Sequence, residues 1–268
     1  MLTQMNATQT FSSVYGPVSS WRYGRSLGID PIGSISTCSF NCVYCQLGEI
    51  EQKTGDRAIY IPTEQILDEL EAFAPWDVDV ITLSGSGEPT LALNLGEILQ
   101  GIADRTHRPT LVLTNGTSLG DAEVRNALAI ADRVSIKLDA ISERRFQGVN
   151  RPIEGINLAD IWAGIEQFCQ DYPGEIGIQT MLLSPWDTQT KAEYISRMRS
   201  LGVDEIQLNT PTRPKPVNRQ LDGRGNHDPQ ESRPYPVQIL PCLNPEVLQN
   251  FAREIAEATG IAVRCAPA

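Results

Sequence analysis

Cys38, Cys42 and Cys45 stand in a C-x3-C-x2-C run, TCSFNCVYC, which gathers three of the chain's six cysteines into eight residues. Three thiolates in one tight loop suit a soft metal in a reducing compartment. Structural zinc wants a fourth ligand close by, and neither His107 nor His227 is recognisably paired with the loop. A cubane iron–sulfur cluster fits the run better, because three cysteines hold three irons and leave the fourth open to another ligand. Three further segments carry polar residues at the ends of predicted strands: Ser84-Gly85-Ser86-Gly87-Glu88-Pro89, Thr114-Asn115-Gly116-Thr117 and Ser135-Ile136-Lys137-Leu138-Asp139. Glycine permits close approach of the backbone to a ligand. A lysine inside an otherwise apolar strand needs a carboxylate or a ligand oxygen, and Asp139 is a candidate partner.

The frame that must position these groups is an alternation of strand-like and helix-like periods. Strands are predicted around Leu27 to Ile35 and at 78–83, 110–114, 133–138, 176–183 and 204–208. Between them Thr63 is expected to cap a helix with Ile66, Leu67, Leu70 and Phe73 inward, and Leu95, Ile98, Leu99 and Ile102 stripe the next. A short helix falls near 120–130. Asn157 caps another, with Ile161, Trp162, Ile165, Phe168 and Cys169 on one face, and Thr188 caps the last of the series over Tyr194, Ile195, Met198 and Leu201. Six β–α units of this kind require a parallel sheet with right-handed crossovers, in either a barrel or a doubly wound fold. Ligands bind at the carboxyl ends of the strands in both. After Asn209 the chain turns rich in Pro, Arg and Gly without a period, a long loop, before a helix starting at Asn244-Pro245 and a short strand at 261–264.

With Tyr44 immediately before the third cysteine, the loop resembles the signature of the radical S-adenosylmethionine (radical SAM) superfamily. The resemblance implies an α/β fold, a partial (β/α)6 TIM-type barrel with a short C-terminal extension, binding one [4Fe–4S] cluster and S-adenosyl-L-methionine. It implies that Cys38, Cys42 and Cys45 ligate iron, that Tyr44 lines the adenine, and that Gly85, Ser86, Gly87 and Glu88 receive the methionine ammonium. Asn115, Ser135 and Lys137 would meet ribose and carboxylate. The implied reaction is reductive cleavage of the sulfonium to a 5′-deoxyadenosyl radical that abstracts hydrogen from substrate, with a donor such as flavodoxin or ferredoxin supplying the electron. WRYGRSLGIDPI, SGSGEPT, and SIKLDA followed by FQGVNRP resemble the group related to wyosine tRNA-modifying enzymes over about residues 15–215. The archaeal wyosine-forming members carry further cysteines ahead of the signature, and this chain has none before Cys38.

The balance of 22 basic and 33 acidic residues, a net charge of −11, disfavours tRNA and anionic membranes as partners. Basic residues exceed acidic ones in 213–233, giving +2 there against −13 elsewhere, so this loop could cover a barrel mouth over an anionic substrate. Asp139, Arg151, Arg213 and Lys215 are the candidate substrate contacts, because arginine forks recognise carboxylate and phosphate. The expected organisation is a core at 15–215 and a loop-and-helix extension at 216–268. No apolar run approaches the ~20 residues a membrane span needs, and the expected location is the cytoplasm. Cys169 reads as a core thiol, and Cys242 and Cys265 as free thiols or, alternatively, as a pair or auxiliary ligands. A non-catalytic iron–sulfur electron carrier and a zinc-stabilised binding module are the rival readings.

Overall fold

In a computed structural model that describes residues 11–225 and 232–267, the chain forms an eight-stranded sheet flanked by helices. His227, Asp228 and Glu231 lie outside the described residues. The strands are β1 (Val14–Ser20), β2 (Gly24–Ile29), β5 (Val80–Leu83), β6 (Thr110–Thr114), β7 (Arg133–Lys137), β8 (Glu175–Met181), β9 (Glu205–Asn209) and β12 (Ala262–Cys265), adjacent in that order. Two short pairs stand outside the sheet: β3 (Thr37–Cys38) with β4 (Gln52–Lys53), and β10 (Lys215–Pro216) with β11 (Val237–Gln238). β1 runs antiparallel to β2, and every later neighbour in the sheet is parallel. The sheet curls. The β1–β2 turn reaches across to the far edge, where the Arg22 carbonyl accepts from Arg264 Nη1 of β12 at 2.7 Å and the Tyr23 hydroxyl accepts from Gln207 Nε2 of β9 at 2.9 Å. This is the partial TIM-type barrel that the resemblance implies.

Helices α1 (Thr63–Glu71), α2 (Leu95–Thr106), α3 (Ala122–Leu128), α4 (Glu143–Val149), α5 (Leu158–Asp171), α6 (Thr188–Leu201) and α7 (Pro245–Thr259) cover the outer face. The stripe Leu95, Ile98, Leu99 and Ile102 is fully buried, as the 3.6-residue period dictates. Asn157 caps α5 by accepting from Asp160 N at 2.9 Å, and Asn244 caps α7 with Pro245 in its first turn. Two expected caps differ. Asp187 rather than Thr188 accepts from the α6 amides, through Thr190 N at 2.7 Å, because a carboxylate one residue earlier takes the capping geometry. Thr63 is inside its helix, with its hydroxyl donating to Glu97 at 3.0 Å, and Pro62 stands at the cap position.

The first strand also differs: β2 ends at Ile29, and Asp30 to Ser36 form a loop folded on the Asp30 carboxylate, which accepts from Ile32 N and Gly33 N at 3.1 and 3.2 Å. β1 was not expected, because Gly16-Pro17 interrupts its pattern, and an edge strand tolerates such a pair. The short strand at 261–264 is found as β12, with α7 packed beside α6 through Trp186, Tyr194 and Phe251, whose ring centroids lie 5.3 to 5.8 Å apart. Among the described residues no helix is long and apolar enough to cross a membrane.

Leu99 is fully enclosed between α2 and the sheet. Leu99→Ala is expected to lower the unfolding free energy by about 2–5 kcal/mol, read from urea denaturation monitored by circular dichroism.

Candidate functional site

One cavity of about 330 Å³ opens at the carboxyl ends of the strands, within the roughly 300–1,000 Å³ typical of small-molecule sites. Cys38 lines it from β3, and Cys42, Tyr44 and Cys45 from the loop that follows. Gly85, Gly87 and Glu88 line it from beyond the end of β5, Asn115 from the end of β6, Ser135 and Lys137 from β7, and Asp139 from just past it. Arg213 lines it from the segment after β9. Ser86, Arg151 and Lys215 do not reach it: Ser86 is buried behind the motif, Arg151 is exposed in the turn after α4, and Lys215 is buried in an ion pair with Glu49 at 3.6 Å.

The cysteine loop has little regular structure of its own, so its neighbours hold it. On one side Thr37 N donates to Ser86 O at 3.0 Å and Glu88 N donates to Thr37 O at 3.0 Å, tying the loop to the glycine-rich motif. A Cβ on Gly87 would collide with the Thr37 carbonyl, and one on Gly85, whose φ is +127°, with the Asp30 carboxylate. Contacts within the chain are thus enough to require glycine at both positions. On the other side Asn41 N donates to Asn150 O at 3.0 Å and Val43 N to Val149 O at 2.9 Å, so the VNRP turn cradles the cysteines.

The polar groups form two networks. Glu88 accepts from Thr90 N at 3.1 Å, Thr90 Oγ1 at 2.8 Å, Thr114 Oγ1 at 2.7 Å and Asn115 N at 2.7 Å. Burial pushes its pKa up, and these four donors pull it back. Asn115 in turn points its amide at Ser39 Oγ, 2.9 Å, and Cys38 Sγ, 3.6 Å. In the second network Asp139 accepts from Met181 N at 2.8 Å, from Asn150 Nδ2 at 2.7 Å and from the Tyr44 hydroxyl. Lys137 Nζ lies 3.6 Å from Asp139, donates to the Tyr44 hydroxyl, and stands over the Tyr44 ring at 4.4 Å. Burial opposes the Lys137 charge, but Asp139 and the three cysteines outweigh it and its pKa rises. Asp139 thus braces the wall formed by Tyr44, Asn150 and β8. Asn150, which the sequence reading passed over inside FQGVNRP, joins both halves, since its amide also reaches Cys42 Sγ at 3.6 Å.

Burial raises all three loop thiols, Cys38 well above the usual range and Cys42 to about 11. Deprotonated sulfur here needs a positive partner, which a cluster supplies, and Lys137, Lys215 and Arg219 add positive potential at Cys45. Among the described residues no three His, Cys, Asp or Glu side chains converge on a single ion. A cubane spreads its cysteines over different irons, so its ligands stand wider than those of one ion. Ser135 Oγ is buried with no hydrogen-bond partner among the described residues, and faces a cavity able to supply one through a bound hydroxyl-rich ligand. The residues present therefore fit an iron–sulfur cluster and S-adenosylmethionine. Cys169 is half-buried on α5, its thiol pushed to about 12 by burial, while Cys242 and Cys265 are free.

Glu88→Gln would turn an amide NH2 toward the donors that the carboxylate now satisfies. It is expected to cost about 1–3 kcal/mol of stability and to weaken S-adenosylmethionine binding, checked by calorimetry on the reconstituted protein.

Comparison with known proteins agrees with this architecture. The family model of the radical SAM superfamily matches residues 32–188. The UPF0026 protein slr1464 of Synechocystis is 59% identical over 258 residues, covering 96% of this chain and 97% of that protein. UPF0026 protein MJ1312 of Methanocaldococcus jannaschii is 32% identical over 75% of this chain and 64% of its own length. A probable GTP 3′,8-cyclase of Saccharolobus islandicus is 31% identical over 70% of this chain and 58% of its own length. The structure of native anSMEcpe with bound AdoMet superposes with a TM-score of 0.58 at 16% identity, covering 90% of this chain and 63% of that one, a likeness of fold. The cysteine loop, the strand-end motifs around it and these matches together make the chain a member of the radical SAM superfamily, and within it a relative of the UPF0026 proteins.

Proposed function

We propose that the chain reductively cleaves S-adenosylmethionine to a 5′-deoxyadenosyl radical that abstracts hydrogen from a small anionic molecule or peptide. The observation that carries this reading is a single cavity in which the three cysteines and Lys137 share walls with Arg213. Cys38, Cys42 and Cys45 would hold the cluster, and the Glu88–Asn115 and Asp139–Lys137–Tyr44 networks would keep the cofactor wall rigid. Backbone groups at Gly85 and Gly87 would receive the ammonium, and Ser135 and Lys137 the ribose and carboxylate. A reducing donor such as flavodoxin or ferredoxin would deliver the electron from outside the barrel.

An anionic substrate is supported by Arg213, whose guanidinium lines the cavity and donates to Gln46 Oε1 at 2.8 Å. The cyclase relative bears a nucleotide in its name, a molecule of the same charge class. The basic loop contributes less than its sequence suggests. Lys215 pairs with Glu49, Arg219 with Glu51 and Arg224 with Asp30, so three of its cations fasten it to the barrel.

Anaerobic reconstitution is expected to give iron and sulfide in equal amounts, and reduction with dithionite should release 5′-deoxyadenosine; Cys42→Ala should lose both. Methylthioadenosine as the sole product would defeat the radical reading. Total tRNA is expected to show no saturable binding at moderate salt, since a tRNA enzyme must neutralise several phosphates. Tight binding abolished by Arg213→Ala would put wyosine-type tRNA modification ahead.

A further inference from the structure

Gly223 and Arg224 belong to the C-terminal part of the chain, yet they line the same cavity as the three loop cysteines. They stand on a 3₁₀ turn, Leu221–Arg224, laid against the residues that follow Cys45. Gln220 N donates to Leu47 O at 2.9 Å, and Gly48 N donates to Cys45 O at 3.1 Å. The two backbones meet without room for a side chain. A Cβ on Gly223 would collide with the Gln46 carbonyl, and one on Gly48, whose φ is +86°, with the Asn218 carbonyl. Residues 218–224 thus form a strap over the outgoing end of the cysteine loop.

Two arginines fasten the strap. Arg219 Nη2 donates to Ser86 Oγ at 3.0 Å and to Ser34 O at 3.3 Å. Arg224 Nη1 donates to Asp30 Oδ2 and to Ser12 O, both at 2.9 Å, and its guanidinium lies over the rings of Tyr15 and Phe11 at 4.7 and 4.9 Å. Both side chains of the Arg224–Asp30 pair are buried. Asp30 also accepts from Ile32 N, Gly33 N and Ser86 N, so the carboxylate that holds the strap shapes the loop before β3 and the glycine-rich motif as well. Loss of one partner from such a pair leaves the other charge buried and uncompensated.

We infer that Arg224 is a positioning residue of the cofactor site: paired with Asp30, it holds the 218–224 strap as a wall of the cavity and shields the cysteine loop from solvent and small solutes. The inference rests on the proposed cluster at Cys38, Cys42 and Cys45, and makes the C-terminal part of the chain a component of that site. Arginine suits the position because its planar group reaches Asp30 and Ser12 O through Nη1 and Leu221 O through Nε at 3.3 Å while it covers two rings. A lysine cannot reproduce that set.

The test uses the anaerobically reconstituted full chain, reduced with dithionite, and follows by absorbance the rate at which bathophenanthroline disulfonate removes its iron. Arg224→Gln is expected to release iron about tenfold faster than the native protein, because local opening of the wall becomes easier. Arg224→Lys should fall between the two. Gly223→Val disrupts the same wall from the Gln46 side and is expected to match Arg224→Gln. Arg199→Gln, which removes an exposed bond to Ala258 O outside the cavity, should leave the rate unchanged. Circular dichroism checks that each variant is folded at the temperature of the measurement. Iron loss at the native rate from folded Arg224→Gln and Gly223→Val would overturn the inference. Should Arg224→Gln fail to fold, Gly223→Val and the milder Gly223→Ala read the same wall. A native chain that assembles no cluster would overturn the inference together with the function it rests on, whereas a cluster that forms and is lost at one rate in every protein overturns the strap alone.

Discussion

The whole cavity depends on how closely the backbone at Thr37 approaches the backbone at Gly87. Cys38 follows Thr37 directly, and Glu88 follows Gly87, so one bridge fixes the first loop cysteine against the carboxylate that organises the next two loops. A side chain at Gly87 would meet the Thr37 carbonyl, and the bridge would open. The consequence propagates through Glu88 to Thr114 and Asn115, and from Asn115 back to Ser39 and Cys38. The loop is a closed circuit of hydrogen bonds, in which each member positions the next.

Burial explains why the circuit is so completely satisfied. A carboxylate as enclosed as Glu88, Asp139 or Asp30 carries a large desolvation cost, and each is offset by several donors or a cation. Asp30 shows the same principle at the other wall: it accepts from Ser86 N at 2.9 Å and pairs with Arg224 at 2.9 Å. Arg224 lies over the rings of Phe11 and Tyr15, and Arg219 donates to Ser86 Oγ at 3.0 Å. Ser86 therefore joins the glycine-rich motif to the segment after β10.

The barrel was legible because its strands and helices obey simple periods. The run at 110–114 is a strand at those bounds, and the stripe from Leu95 to Ile102 is buried on α2. Cys38, Cys42 and Cys45 were legible because spacing within one loop is local information. Thr188 and Asp187 show the limit at an element's end: either can cap, and only the backbone dihedrals decide. Asn150 and Asp30 were not legible as supports of the site because each acts at long range in sequence, Asn150 on Cys42 and Asp30 on Ser86. No window of sequence holds both partners. Arg151 and Lys215 stand outside the cavity for the complementary reason, since residue type suggests what a fork or an ammonium can bind and says nothing of where a turn sends it.

Charge follows the same division between local and global. The chain's −11 is spread over a surface that repels polyanions, while Lys137, Arg22 and Arg213 face one enclosed space. Low dielectric strengthens each of those interior charges far more than the distant surface acids can weaken them. An acidic exterior and cations lining the interior are therefore compatible, and the proposed small anionic substrate accords with both, because a folded RNA would also have to contact an exterior on a chain of net negative charge.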